Sequence, residues 1–218
     1  MTILVADDVA RAGAEWIAAR RPRTVALAGG TTPRAIYLAL AAAPLPWAEM
    51  HVYFGDERAV PPDDPESNYR MARETLLARA PIPPENVHRM EAERADLEAA
   101  AEEYGRRLPD ALDLVILGMG EDGHTASLFP GRPAGAGKVM VVRDAPKPPP
   151  VRLSLTPRAI RGAAARLVVV TGAGKAAMVR AALRGPEDPG RIPVQVARHG
   201  VWLLDRAAAG LLEENDAG

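Results

Sequence analysis

Residues 112–127, LDLVILGMGEDGHTAS, join a short aliphatic run to a glycine-rich polar loop. The run Leu112 to Leu117 is apolar but for Asp113. That is the length and character of a strand covered on both faces, as in the middle of a parallel sheet. Elements on either side repeat the pattern. Ile3 to Ala6, Thr24 to Ala28, His51 to Phe54, Lys138 to Val142, Val151 to Leu155 and Leu167 to Val170 read as further strands. Between them lie helical stretches. One follows a cap at Asp7 or Asp8 and places Val9, Ala12, Trp16 and Ile17 on one face. Others run from Pro33 to Ala43, from a Ser67 cap to Ala80, from Arg94 to Leu108 and from Gly174 to Leu183. Near the end, alternating Val194 and Val196, a turn at Arg198-His199-Gly200 and the run Val201 to Leu204 suggest an antiparallel hairpin at a sheet edge. Strand–helix alternation of this kind predicts an α/β three-layer sandwich, a mostly parallel central sheet with helices on both faces. The expected organisation is a single domain over residues 1–212, with 213–218 a frayed polar tail.

Composition narrows the function. The chain has 218 residues, 48% hydrophobic and 25% charged, enough to bury a sizeable core. With 27 basic and 28 acidic side chains the net charge is -1, which argues against a polybasic nucleic-acid or membrane-surface binder. There is no cysteine, so thiol nucleophiles, disulfides and zinc-thiolate sites are excluded. No apolar window is long enough to span a membrane, and the N-terminus carries Asp7 and Asp8 without a basic residue, unlike a secretory signal. The expectation is a cytoplasmic protein, monomeric or a small homo-oligomer. Only Lys138, Lys147 and Lys175 of the 27 basic residues are lysines.

In open α/β sheets, ligands bind at the C-terminal ends of the strands, so the loops there matter most. Ala28-Gly29-Gly30-Thr31-Thr32-Pro33 combines close backbone approach, two hydroxyls and a helix start, which suits a phosphate on Gly30, Thr31 and Thr32. It matches neither GxxxxGK[ST] nor GxGxxG. Gly55-Asp56-Glu57-Arg58 follows the third strand and reads as a charged loop returning to Asn68 at a helix start, with Arg58 suited to an anionic or carbonyl oxygen. The loop after Leu117 carries Asp122 and His124 two residues apart, and His124 is the only one of four histidines flanked by glycine and a carboxylate. An imidazole takes and returns a proton near neutrality, which fits general acid–base work, whereas one histidine without a second at ligand spacing is a poor metal site. Arg152 at a strand start and Lys175 at a helix start would add positive charge to an anion site.

Together GGTTP (29–33), GDERAVP (55–61), SNYRMARETLL (67–77), LGMGEDGHTASLFPG (117–131), PPVRLSLTP (149–157) and GAGK (172–175) resemble the 6-phosphogluconolactonase family, in the family's order and over nearly the whole chain. The resemblance implies hydrolysis of 6-phospho-D-glucono-1,5-lactone to 6-phosphogluconate, a carboxylic-ester hydrolysis in the pentose phosphate pathway. It implies no metal or organic cofactor, and a fold related to glucosamine-6-phosphate deaminase and ribose-5-phosphate isomerase. Under it His124 is the base that activates water, Asp122 holds the imidazole or its loop, with Asp56 the alternative contact for His124, and Arg58 meets the carbonyl or a hydroxyl. Asp56 buttresses Arg58 or binds sugar hydroxyls, Asn68 belongs to the substrate- or phosphate-binding set, and Gly30, Thr31, Thr32, Arg152 and Lys175 hold the phosphate. The rivals are a deaminase or isomerase on the same fold and a non-catalytic sugar-phosphate sensor. Deaminases of this kind carry an Asn-Glu-Pro segment after the histidine, where this chain has Ser127-Leu128-Phe129-Pro130 and no carboxylate. Sensors of this ancestry carry a DNA-binding segment, for which the chain offers no basic stretch.

Overall fold

The computed structural model describes residues 1–212; the expected tail, 213–218, lies outside the described residues. In chain order the elements are β1 (Thr2–Val5), α1 (Val9–Arg20), β2 (Thr24–Leu27), α2 (Thr31–Leu40), β3 (His51–Phe54), β4 (Asp56–Arg58), α3 (Asn68–Ala72), α4 (Leu97–Arg107), β5 (Leu114–Leu117), β6 (Val139–Val142), β7 (Arg152–Leu155), α5 (Pro157–Gly162), β8 (Ala165–Val170), α6 (Ala176–Arg184), β9 (Val201–Leu204) and α7 (Arg206–Ala209). Asp8, Ser67, Asp96, Thr156 and Asp205 each cap a helix by accepting a backbone N–H from its first turn.

Six strands form one parallel sheet in the order β1-β9-β8-β5-β2-β3. All four residues of β5 are buried, as its aliphatic composition requires. Asp113 stands just before this strand, its Oδ2 accepting the N–H groups of Arg23 and Thr24 at 2.8 and 3.0 Å, which explains the one polar residue in the run. From β2 the chain moves outward to β3, and from β5 it moves the other way through β8 to β9. The order therefore reverses between β2 and β5, and an open α/β sheet binds its ligands at such a switch point.

Two expectations are corrected. The C-terminal antiparallel hairpin does not form: Pro193–Ala197 is a buried 3₁₀ turn, and β9 lies inside the sheet, parallel to both β8 and β1. Residues at i and i+2 share a face only in a strand; here the whole turn is buried, Val194 and Val196 included, so their spacing carried no strand signal. The second correction concerns Gly55-Asp56-Glu57-Arg58, read as a loop. Asp56–Arg58 is a strand, and with β7 and β6 it forms a separate antiparallel sheet, β4-β7-β6. The two sheets meet where the Leu155 N–H donates to the Gly55 carbonyl at 2.8 Å.

Candidate active site

The loops after β2, β5 and β8 converge on one cleft of about 280 Å³, closed on its far side by β4, Asn68, Lys147 and Arg152. Nine of the ten residues singled out from the sequence line it: His124, Arg58, Gly30, Thr31, Thr32, Asp56, Asn68, Arg152 and Lys175. Asp122 does not, because it stands behind the imidazole.

The loop after β5 is built around that pair. The Gly120 N–H donates to the His124 carbonyl at 2.9 Å and the Gly123 N–H to Gly120 at 3.1 Å, so the chain doubles back at once. Gly123 takes φ +82°, a left-handed conformation open to glycine at little cost. At Gly120 the constraint is space: a Cβ there would overlap the His124 ring and the Asp122 carboxylate. Asp122 Oδ1 accepts the His124 N–H at 3.1 Å and lies 2.5 Å from Nδ1. Burial opposes ionisation of Asp122, but these two hydrogen bonds outweigh it and hold the carboxyl below its usual range. A carboxylate at Nδ1 fixes the proton there and leaves Nε2 with a free lone pair. The Phe129 ring leans on the imidazole, tilted by 39° with centroids 5.0 Å apart.

The loop after β2 is anchored from below by the Tyr37 hydroxyl, which accepts the Ala28 N–H at 2.8 Å and donates to the Ala28 carbonyl at 3.0 Å. Gly30, at φ +100°, is the N-cap of α2 and has no side chain to occupy the helix's free N–H groups. Those groups therefore face the cleft, where an anion would meet them. Thr32 Oγ1 shares a 2.7 Å hydrogen bond with Thr171 Oγ1 at the end of β8.

The wall opposite is a buried polar network. Asp56 is 6% exposed; its Oδ2 accepts the Ser127 hydroxyl at 2.7 Å and its Oδ1 the Asn68 amide at 3.1 Å. Glu57 faces the other way. Its carboxylate accepts the N–H groups of Arg58, Asn68 and Tyr69, each at 2.8 Å, and the Ser67 hydroxyl at 3.1 Å. Glu57 is thus the anchor for the start of α3, a role the sequence did not disclose. Arg58 donates to the Glu66 carbonyl at 2.5 Å, and its buried Nε has no hydrogen-bond partner.

Positive charge comes from Arg58, Lys147, Arg152 and Lys175, against the carboxylates of Asp56 and Glu121. Arg152 is 5% exposed and donates to the carbonyls of Pro149 and Lys147 at 3.0 and 2.8 Å, so it also holds the loop that carries Lys147. Burial lowers the Lys175 pKa, with Glu121 opposing the shift. Lys147 and Glu121 were missed as site residues. Lys147 sits in a proline-flanked loop whose direction no periodicity reveals, although two of the three lysines in the chain prove to line one cleft. Among the described residues no three His, Cys, Asp or Glu side chains converge to hold a metal ion.

The model of the family described as glucosamine-6-phosphate isomerases/6-phosphogluconolactonase matches residues 1–204. The chain belongs to that family. A 6-phosphogluconolactonase of Synechocystis sp. is 39% identical over 205 residues, covering 88% of this chain and 85% of that protein. Among solved structures, the 6-phosphogluconolactonase of Trypanosoma brucei superposes with a TM-score of 0.85 at 31% identity, over 97% of this chain and 98% of its own. A monomeric glucosamine-6-phosphate deaminase superposes with a TM-score of 0.87 at 23% identity, over 97% and 100% of the two chains. That likeness is one of fold. In this family fold the Asp56–Ser127 hydrogen bond joins the small sheet to the histidine loop, and the Leu128-Phe129 pair that follows is buried.

Proposed function

We propose that the chain is a 6-phosphogluconolactonase, hydrolysing 6-phospho-D-glucono-1,5-lactone to 6-phosphogluconate in the pentose phosphate pathway, with residues 1–212 acting as one domain. The observation that carries this reading is an imidazole with a carboxylate on Nδ1, placed in a cleft with four cations and a free helix N-terminus. Family relatives named for this activity support it. Nε2 of His124 takes a proton from water as the oxygen attacks the lactone carbonyl. The tetrahedral intermediate then collapses with cleavage of the ring C–O bond, and the imidazolium returns the proton to the leaving ring oxygen. Asp122 holds the tautomer and stabilises the imidazolium between the two transfers. Arg58 faces the developing oxyanion, and Asp56 with Asn68 orients the sugar hydroxyls. Gly30, Thr31 and Thr32 receive the phosphate, with Lys175 and Arg152 supplying charge and Lys147 adding to it. The enzyme works on dissolved substrate in the cytoplasm, as a monomer or small homo-oligomer. Among the described residues, no helix is long and apolar enough to cross a membrane.

The deciding assay couples lactone generation to 6-phosphogluconate oxidation, corrected for spontaneous hydrolysis. Turnover well above the spontaneous rate is expected, with no ammonia released from glucosamine 6-phosphate. Ammonia release without lactone turnover would make the chain a deaminase, and saturable 6-phosphogluconate binding without turnover a sensor.

Lys175 gives a second test. Its folded pKa lies below the ordinary lysine value because charging it inside the cleft is costly. A bound phosphate removes that cost and pushes the pKa back up, so 6-phosphogluconate binding at alkaline pH takes up protons. Calorimetry in buffers of different ionisation heat measures the uptake; Lys175→Met abolishes it and raises KM about tenfold with kcat little changed. The same depressed pKa sets the sign for stability. Between the folded value and 10.5 the unfolded chain holds the extra proton, so this group's contribution to stability rises with pH across that window and is absent below it.

A further inference from the structure

A second cavity of about 310 Å³ lies on the other side of Phe129 from the catalytic imidazole. Its walls are apolar: Leu128, Phe129, Met140, Val196 and four prolines. Phe129 belongs to a small cluster with Val142 and Ala145, distinct from the main core, against which Met140 packs. Leu128 and Val196 belong to the main core, so the cavity lies between that core and the Phe129 cluster.

Two guanidiniums stand at its rim, Arg132 and Arg161. Arg132 pairs with Asp144. Arg161, exposed on α5, has no carboxylate partner among the described residues; only its backbone carbonyl is engaged, by Arg166. The acid nearest in sequence to this rim is Asp188, whose Oδ1 accepts the N–H groups of Gly190 and Arg191 at 3.1 and 3.2 Å. An apolar hollow in the size range of small-molecule sites, with a guanidinium at the mouth that no carboxylate among the described residues pairs, is complementary to a ligand with an apolar body and one negative group.

We propose that this cavity is a binding site for a small amphipathic carboxylate, separate from the catalytic cleft and divided from it by the Phe129 ring. The apolar body lies against Leu128, Phe129 and Met140, and the carboxylate meets Arg161. The proposal does not depend on the lactonase reading, since occupancy is read directly.

The probe is 4-phenylbutyrate, with neutral 4-phenylbutanol as its uncharged counterpart. Binding is followed by the methyl resonance of Met140 in methionine-labelled protein, assigned by Met140→Leu. A saturable shift is expected, with the carboxylate about fivefold tighter than the alcohol, as one exposed ion pair provides. Arg161→Gln, at an exposed position, removes that preference while lactone turnover stays unchanged. Ala134→Phe, an exposed rim position that fills the hollow, abolishes the shift. Saturating 6-phosphogluconate leaves the shift in place. No saturable shift, equal affinity for acid and alcohol, or displacement by 6-phosphogluconate would each overturn the site.

Discussion

Replacing His124 with glutamine lowers kcat by about 10²- to 10⁴-fold, the range for losing a positioned general base, while 6-phosphogluconate binds with nearly unchanged affinity. Glutamine spans a similar volume and can still bond Asp122, so the loop held by Gly120 and Gly123 keeps its shape. What disappears is the basic nitrogen facing the cleft. The proposed phosphate contacts lie on other loops and on Arg152, away from the substitution. Asp122→Asn separates the two roles of the pair. An amide can donate to Nδ1 and so turn the free lone pair away from the substrate, which lowers kcat with His124 still present. Because the Asp122 carboxyl is held below its ordinary value, it stays ionised throughout the neutral range; its contribution to stability is present above the unfolded value and is lost only as pH falls through the depressed one. Initial rates with fresh lactone, with calorimetric titration of the product, provide both readouts. A His124→Gln enzyme turning over at near wild-type rate would remove His124 from the mechanism.

Glu57→Ala destabilises the fold by about 3 kcal/mol or more. The carboxylate is 4% exposed and satisfies three backbone N–H groups and the Ser67 hydroxyl, all of which lose their acceptor at once. One opposing effect reduces the loss. Burial raises the Glu57 pKa, against the hydrogen bonds that favour its ionised form, so the native carboxylate is itself under strain from desolvation. A raised folded value means that this group's contribution to stability declines as pH climbs from 4.5 through the folded value. Glu57→Gln keeps the shape but turns an N–H₂ toward N–H donors, and it is destabilising for that reason. Urea denaturation of the three proteins at neutral pH measures the differences. A Glu57→Ala midpoint matching the parent would show that water replaces the carboxylate without loss. The variant also loosens Asn68, whose N–H rests on Glu57 and whose amide holds Asp56.

What the amino-acid order disclosed follows from where its physics is local. Glycine pairs after aliphatic runs announce strand-to-loop transitions, and these placed the loops after β2, β5 and β8 correctly. Caps at Asp8 and Ser67 are legible because a short side chain reaches its own helix. β4 was not legible. Three charged residues read as a solvated turn, and only pairing with β7, about a hundred residues away, makes them a strand. Asp56, singled out from the sequence, lines the cleft, but the same non-local pairing hides the role of its neighbour Glu57, which is turned to the backbone of α3. Lys147 reaches the site because Arg152 holds its loop by two carbonyls, a side chain-to-backbone arrangement with no periodic signature.

The division of the cleft between two sheets has an evolutionary consequence. The Asp122–His124 pair rides on the parallel sheet, whereas Arg152 and the loop it grips ride on the antiparallel one. A drift in β6 or in the loop before β7 that leaves the Asp56–Ser127 and Ser127–Ser154 hydrogen bonds in place can retune which phosphorylated ring is held. Substitutions after β5 can alter the reaction while the same anion grip persists. One scaffold split in this way can diversify its substrates and its chemistries along separate mutational paths, as a family whose description spans isomerases and lactonases would require.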